Sequence, residues 1–207
     1  MFSHFLALYN KNRHLLLSRG FSMVELMVSI SIIVMVLTIT MSRQSSFNSA
    51  VLLRSEAFDL ALAIREVQLS AVSAASDGGG EFRNRLGVYF DTDTANTYVF
   101  FRDNGDNFYS PTGTDTMYGV RGIIDPRFVI SAITPDSDSL TSNNDLSIVF
   151  ERPNFDARFF KAANNDLTTS RVLIRISLAG ATGSDCGSDF RDVEITSAGQ
   201  ISVVNCP

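Results

Sequence analysis

Apolar and polar positions fall into three regimes along this chain. From Ser22 to Met41 the sequence is SMVELMVSISIIVMVLTITM, apolar throughout except for hydroxyls and one carboxylate, Glu25. A helix of about 20 such residues at about 1.5 Å each crosses the hydrocarbon core of a bilayer, and Ser and Thr are tolerated there because they bond back to helix carbonyls. Residues 47 to 73 contain no Gly or Pro and are rich in Ala, Leu, Glu and Arg, a composition that favours helix. Within them Ala57, Leu60, Ala61, Ile64, Val67 and Ala71 recur at three- and four-residue spacing as one apolar stripe, and Phe58, Leu62 and Leu69 make an adjoining one. The pattern predicts one long helix over residues 21–76, with its transmembrane segment at 22–41. It would span roughly 80 Å, about 30 Å of it in lipid, and end at Asp77-Gly78-Gly79-Gly80. The stripe in its outer half is expected to pack on the domain that follows.

After residue 81 the period shifts toward two. Short β-rich runs stand at Leu86–Phe90, Tyr98–Phe101, Arg127–Ile133, Leu146–Phe150, Val172–Ser177, Asp192–Thr196 and Ile201–Val204, with turn-rich clusters between them. They predict an antiparallel β-sheet or small β-sandwich over residues 77–207, on which the helix docks, an α+β fold. Ser197-Ala198-Gly199 is a tight connection between the last two strands, with Gly199 suited to a positive φ.

Charge adds an asymmetry to this picture. Lys11, Arg13, Arg19 and both histidines, His4 and His14, precede residue 21, and all 22 acidic residues follow it. Without its first 20 residues the chain keeps 14 basic and 22 acidic side chains, no histidine, no tryptophan and one lysine, Lys161. An imidazole base for a Ser or Cys nucleophile is then missing, and two cysteines alone cannot make a zinc site. The acidic balance argues against nucleic acid as the main partner. Three cations precede the apolar segment and only Arg43 follows it closely, so the N-terminus is expected in the cytoplasm and residues from about 45 outside. A cleaved secretory signal is the rival, but its apolar core would be shorter, and Thr40-Met41-Ser42 is a poor cleavage site. In an otherwise Cys-free extracytoplasmic domain, Cys186 and Cys206 read as one disulfide, with two free buried thiols as the alternative. Pairing across the Gly199 turn brings residue 206 near residue 190, four residues from Cys186.

Glu25 needs a reason. A carboxylate in mid-membrane costs about 2.5–3.5 kcal/mol. One turn from the helix start it costs less and gains from the helix dipole, so snorkelling to the headgroups is one reading. The other uses a cut after Gly20. The new amine on Phe21 would lie at the depth of Glu25 in a neighbouring copy, an attraction in low dielectric that sets axial register.

Arg19-Gly20-Phe21-Ser22-Met23-Val24-Glu25, followed by an apolar helix, resembles the N-terminus of type IV prepilins and pseudopilins. The resemblance implies that residues 1–20 are a leader, that a membrane-embedded prepilin peptidase cuts between Gly20 and Phe21 and methylates the new amine of Phe21, and that Glu25 guides assembly. The leader is longer than the shortest in the family and carries apolar patches of its own. The segments IVFERPNFDARFF, residues 148 to 160, and RDVEITSAGQISVV, residues 191 to 204, look like the GspH/FimT class of minor pilins and pseudopilins.

On this reading the protein is a structural subunit of a type IV pilus or type II secretion pseudopilus, not an enzyme. It is a single-pass inner-membrane protein with no cofactor. Its partners are other pilin or pseudopilin subunits, the prepilin peptidase, an inner-membrane assembly platform and membrane lipid. The alternatives are a DNA-uptake minor pilin and a membrane-anchored enzyme ectodomain using an Asp pair. Asp103-Asn104-Gly105-Asp106-Asn107 has the look of a calcium loop but lacks the D-x-D-x-D-G order and the downstream Glu. The same residues serve hairpin turns, and no metal is assigned to them. Arg152, Arg158, Lys161, Arg171 and Arg175 are the one basic concentration, expected to be a solvated surface partly offset by Asp156 and Asp166.

Overall fold

A computed structural model describes residues 20–73, 85–113, 115–136, 145–150, 154–162, 165–181 and 185–204, with the side chains of 43–47 outside the description. Among the described residues one helix, α1, runs Met23–Val72. The strands among the described residues are β1 Arg85–Asp91, β2 Thr97–Asp103, β3 Thr116–Met117, β4 Gly122–Ile123, β5 Phe128–Pro135, β6 Asp145–Phe150, β7 Ala157–Ala162, β8 Asn165–Asp166, β9 Arg171–Leu178, β10 Phe190–Thr196 and β11 Ile201–Val203. The fold is α+β, as the change of period predicts. By contacts the chain forms two compact units, Met1–Gln44 and Ser45–Pro207.

In the first unit the helix holds one apolar window, Met23–Ser42, of 20 residues with mean hydropathy 2.3 and none of it buried. It is long and apolar enough to cross a membrane. Its hydroxyls are satisfied within the helix: Ser29, Ser31 and Thr38 each donate to the carbonyl four residues back, at 2.7, 2.8 and 2.7 Å.

In the second unit the strands make two antiparallel sheets. One has the order β3-β2-β1-β6-β7-β8, with β4 also on β2, and the other β11-β10-β9-β5. A single core joins them to the helix. Leu53, Ala57, Leu60, Ile64, Val67 and Ala71 of α1 are buried with Val88 and Phe90 of β1, Ile148 and Phe150 of β6, Ile174 and Ile176 of β9, and Val193 and Ile195 of β10. The predicted principal stripe is therefore the buried one, with Ala61 only partly covered. The adjoining stripe is not core: Phe58, Leu62 and Leu69 are 44%, 66% and 51% exposed. A helix face one residue round from a covered stripe turns away from the sheets.

The second face of the larger sheet carries its own cluster, Val99, Phe101, Tyr109, Val149 and Phe160, with Tyr89 and Phe108 packed against it. Both faces of this sheet are thus apolar, which explains a strand absent from the expectations above. In β7, Phe159 joins the main core and Phe160 the second cluster, so two adjacent phenylalanines replace the apolar–polar alternation. The expected strand at 127–133 holds its register through a bulge between Ile130 and Ala132. The extra residue lets Ile130 and Ile133, an odd number of positions apart, both face the core. The expected helix over 21–76 is observed as Met23–Val72, and the glycine terminator at 78–80 lies outside the described residues.

Candidate functional site

The N-terminal motif is built locally. The Ser22 carbonyl accepts the Leu26 N–H at 3.1 Å, so Ser22 caps α1 and Glu25 falls in the first turn. Ser22-Met23-Val24-Glu25 has the spacing of a capping box, and unpaired N–H groups of a first turn favour a carboxylate there. The helix start thus supplies its own reason for an acid at 25. Among the described residues Gly20 has no such reason. A Cβ added to it meets nothing within 4 Å. Phe21 is 76% exposed. Nothing among the described residues packs on Gly20-Phe21.

At the other end, β10 and β11 pair in the expected register, Val193 with Val203 and Ile195 with Ile201. Gly199 closes the turn with φ 78°, and its N–H donates to the Thr196 carbonyl at 2.8 Å. A Cβ there would collide with the Phe155 carbonyl oxygen. Next to this turn lies Gln68, fully buried on the α1 stripe. Its Nε2 donates to the Phe155 carbonyl at 2.7 Å and the Gly199 carbonyl at 2.8 Å, and Arg65 donates to its Oε1 at 2.9 Å. Sequence reading passes over Gln68, although its place between Ile64 and Ala71 at helical spacing marks it as inward-facing. Cys186 is disulfide-bonded; Cys206, the other cysteine of the sequence, lies outside the described residues.

The Asp103–Asn107 segment is the end of β2 and the tight loop after it. Asn107 takes φ 64°, a conformation Asn tolerates. Asp103 Oδ1 accepts the N–H of Gly105 at 3.1 Å and of Asn107 at 2.7 Å. Asp106 Oδ1 accepts the Phe108 N–H at 3.3 Å. A third carboxylate arrives from beyond the loop: Asp115 accepts the N–H groups of Asn104 at 3.1 Å and Ser110 at 3.2 Å. One oxygen from each of Asp103, Asp106 and Asp115 lies within 4.8 Å of the others. Burial, with Asp106 and Asp103 as neighbours, raises the Asp115 carboxyl above its ordinary value against the two N–H bonds. No local pattern links Asp115 to residues 103–107.

The basic concentration is largely paired. Arg158 meets Asp166 at 2.6 Å. Arg171 meets Asp136 at 3.0 Å and Glu194 at 3.4 Å. Arg175 holds both oxygens of Asp192, at 2.8 and 3.0 Å, and lies over the Phe190 ring at 3.8 Å. Asp166 does offset the patch as expected; the larger compensation comes from Asp136, Asp192 and Glu194, brought in by pairing of β9 with β10 and β5. Arg152 lies outside the described residues.

No family model, curated protein or solved structure matches the chain.

Proposed function

We propose that the chain is a structural subunit of the type IV pilin and pseudopilin family, of the GspH/FimT minor class. Residues 1–20 are removed by a prepilin peptidase, and the mature chain starts at an N-methylated Phe21. The reading rests on one observation: an apolar window of 20 residues with no part buried begins just after Gly20-Phe21 and bears Glu25 in its first turn. A glycine that no described residue crowds suits a residue read by another protein. An exposed apolar helix needs lipid, or copies of itself, to cover it.

The cations at Lys11, Arg13 and Arg19 keep the N-terminus in the cytoplasm, and the β-rich unit stands on the far side of the inner membrane. On assembly the apolar helices leave lipid for the core of a filament, where the Phe21 amine of one subunit meets Glu25 of its neighbour. The pilin-like fold is part of this proposal. The chain does no chemistry of its own; it is the peptidase's substrate, and an assembly platform and neighbouring subunits are its partners.

The test is N-terminal sequencing and intact mass of the full chain recovered from membranes with and without a co-expressed prepilin peptidase. The expected product with peptidase begins at methylated Phe21. Recovery of chain that keeps all of its first 20 residues beside an active peptidase would end the proposal.

A further inference from the structure

The outer half of α1 has a face that the sheets leave uncovered. Val51, Phe58, Leu62 and Leu69 are all exposed. At about 100° per residue they fall within about 40° of one another, on the side opposite the stripe that enters the core. Their spacing of seven, four and seven residues is that of a coiled-coil seam, with Val51 and Phe58 at d positions and Leu62 and Leu69 at a positions. Leu62, Arg65, Glu66 and Leu69 also line an open groove of about 400 Å³ with Ser70 and Ser73. Four residues at i, i+3, i+4 and i+7 make the hole into which a facing helix sets a side chain.

The two flanks of this ridge carry opposite charge. Asp59 and Glu66 are exposed on one flank, about 60–80° from the midline, and Arg54 and Arg65 on the other, about 40–60° away. Arg54 lies over the Phe58 ring at 5.5 Å. Arg65 donates to Gln68 Oε1 at 2.9 Å and to the Gly199 carbonyl at 3.4 Å, which turns its guanidinium away from the seam. A partner of one sign would satisfy one flank and be repelled by the other, and a lipid tail would satisfy neither. A second copy of the chain satisfies both, in one direction only. A half turn about an axis parallel to α1 sets ridge against ridge and the acidic flank of each copy against the basic flank of the other. A half turn about a perpendicular axis makes the helices antiparallel and sets acid against acid and base against base.

We infer that this ridge of α1 docks a second copy of the chain, parallel and in register. Arg54 of each copy then meets the second copy's Asp59, five residues further along, as flanking g and e positions do. Arg65 stands beside the second copy's Glu66. Four apolar side chains over about 27 Å are too few for a pair in free solution, where stable interfaces bury about 1,200–2,000 Å². The pair therefore forms between chains that share a membrane or micelle, which raises their effective concentration. No cut at Gly20 is needed, so failure of this contact and failure of the proposed function are separate results.

The experiment uses the full, uncut chain in detergent micelles at about two chains per micelle, where both helix directions are open. Leu62→Cys, Leu69→Cys and, as a collision control, Thr112→Cys in an exposed loop are oxidised with copper phenanthroline, with the parent giving the background of its own cysteines. Leu62→Cys and Leu69→Cys are each expected to form linked pairs at least about tenfold faster than Thr112→Cys. Val51→Cys mixed with Leu69→Cys is expected not to link, being about 27 Å apart in a parallel pair. Adding Arg54→Glu to Leu62→Cys sets acid against the second copy's Asp59 and is expected to slow linkage about fivefold. Adding Asp59→Arg as well is expected to restore it, which a change confined to one subunit would not do. The inference is overturned if Leu62→Cys and Leu69→Cys link no faster than Thr112→Cys, which would leave the face to lipid. It is equally overturned if Val51→Cys links to Leu69→Cys, the antiparallel result, or if Asp59→Arg does not reverse the effect of Arg54→Glu.

Discussion

Gln68 and Gly199 meet where α1 touches the last hairpin, and each constrains the other. Gly199→Ala combines a left-handed φ with a collision at Phe155. It is expected to cost about 3 kcal/mol in chemical denaturation. Gln68→Leu keeps bulk on the stripe but strips the donor from the Phe155 and Gly199 carbonyls, a loss of about 1–3 kcal/mol by the same measurement. Asp115 offers a test by pH. Its carboxyl is raised in the fold, so the folded state holds that proton more tightly than the unfolded chain. The resulting stability is complete below the unfolded value of about 3.9 and disappears as pH rises through the folded one. Together with Glu56 and Asp145, which burial also raises, Asp115 should make the parent lose stability on going upward from about pH 4, and Asp115→Asn should lose less. Asp136, lowered by its bonds from Arg171, and Asp125, lowered to about 2 by its bonds from Arg127, act in the opposite sense below that window. Equal slopes for parent and variant would show that Asp115 is not under this strain.

Elements differ in how far their own pattern explains them. The seven β-rich runs of the sequence all appear as strands, because a period of two needs only neighbours to be recognised. β7 escapes, since a strand buried on both faces has no alternation to detect. α1 shows the limit more sharply. Ile64 and Leu62 stand two residues apart on stripes of similar apolarity, yet Ile64 is fully buried and Leu62 largely exposed. Ile64→Ala should cost about 3 kcal/mol through its cavity, and Leu62→Ala about 0.5 kcal/mol or less, both read from urea midpoints of the full chain in micelles. Similar costs would mean that the second stripe is also covered.

At the scale of the whole molecule, strand pairing decides the fate of the basic stretch. Arg158, Arg171 and Arg175 each meet a carboxylate, so among the described residues these three arginines offer little free positive charge to phosphates. Glu25 has a local use in the first turn of α1; under the proposed function it has a second one, and its test is assembly. Glu25→Gln retains the capping oxygen but not the charge. Under the proposed function it is cut as the parent is, and then enters sheared filaments about tenfold less, the effect of about 1.4 kcal/mol per contact, measured by immunoblot of the sheared fraction. Parental incorporation would assign Glu25 to helix capping alone.

What the sequence by itself determined is what depends on near neighbours: the exposed apolar helix, the Gly20–Glu25 motif at its start, the places of most strands and the turn at Gly199. What only the tertiary structure decided is which stripe of α1 is covered, how Gln68 reaches carbonyls 87 and 131 residues away, and which arginines are neutralised. It also decided that Asp115 joins Asp103 and Asp106. Periodicity is a property of residues two to four apart, whereas these contacts exist only after strands distant in sequence have paired and the helix has packed on them.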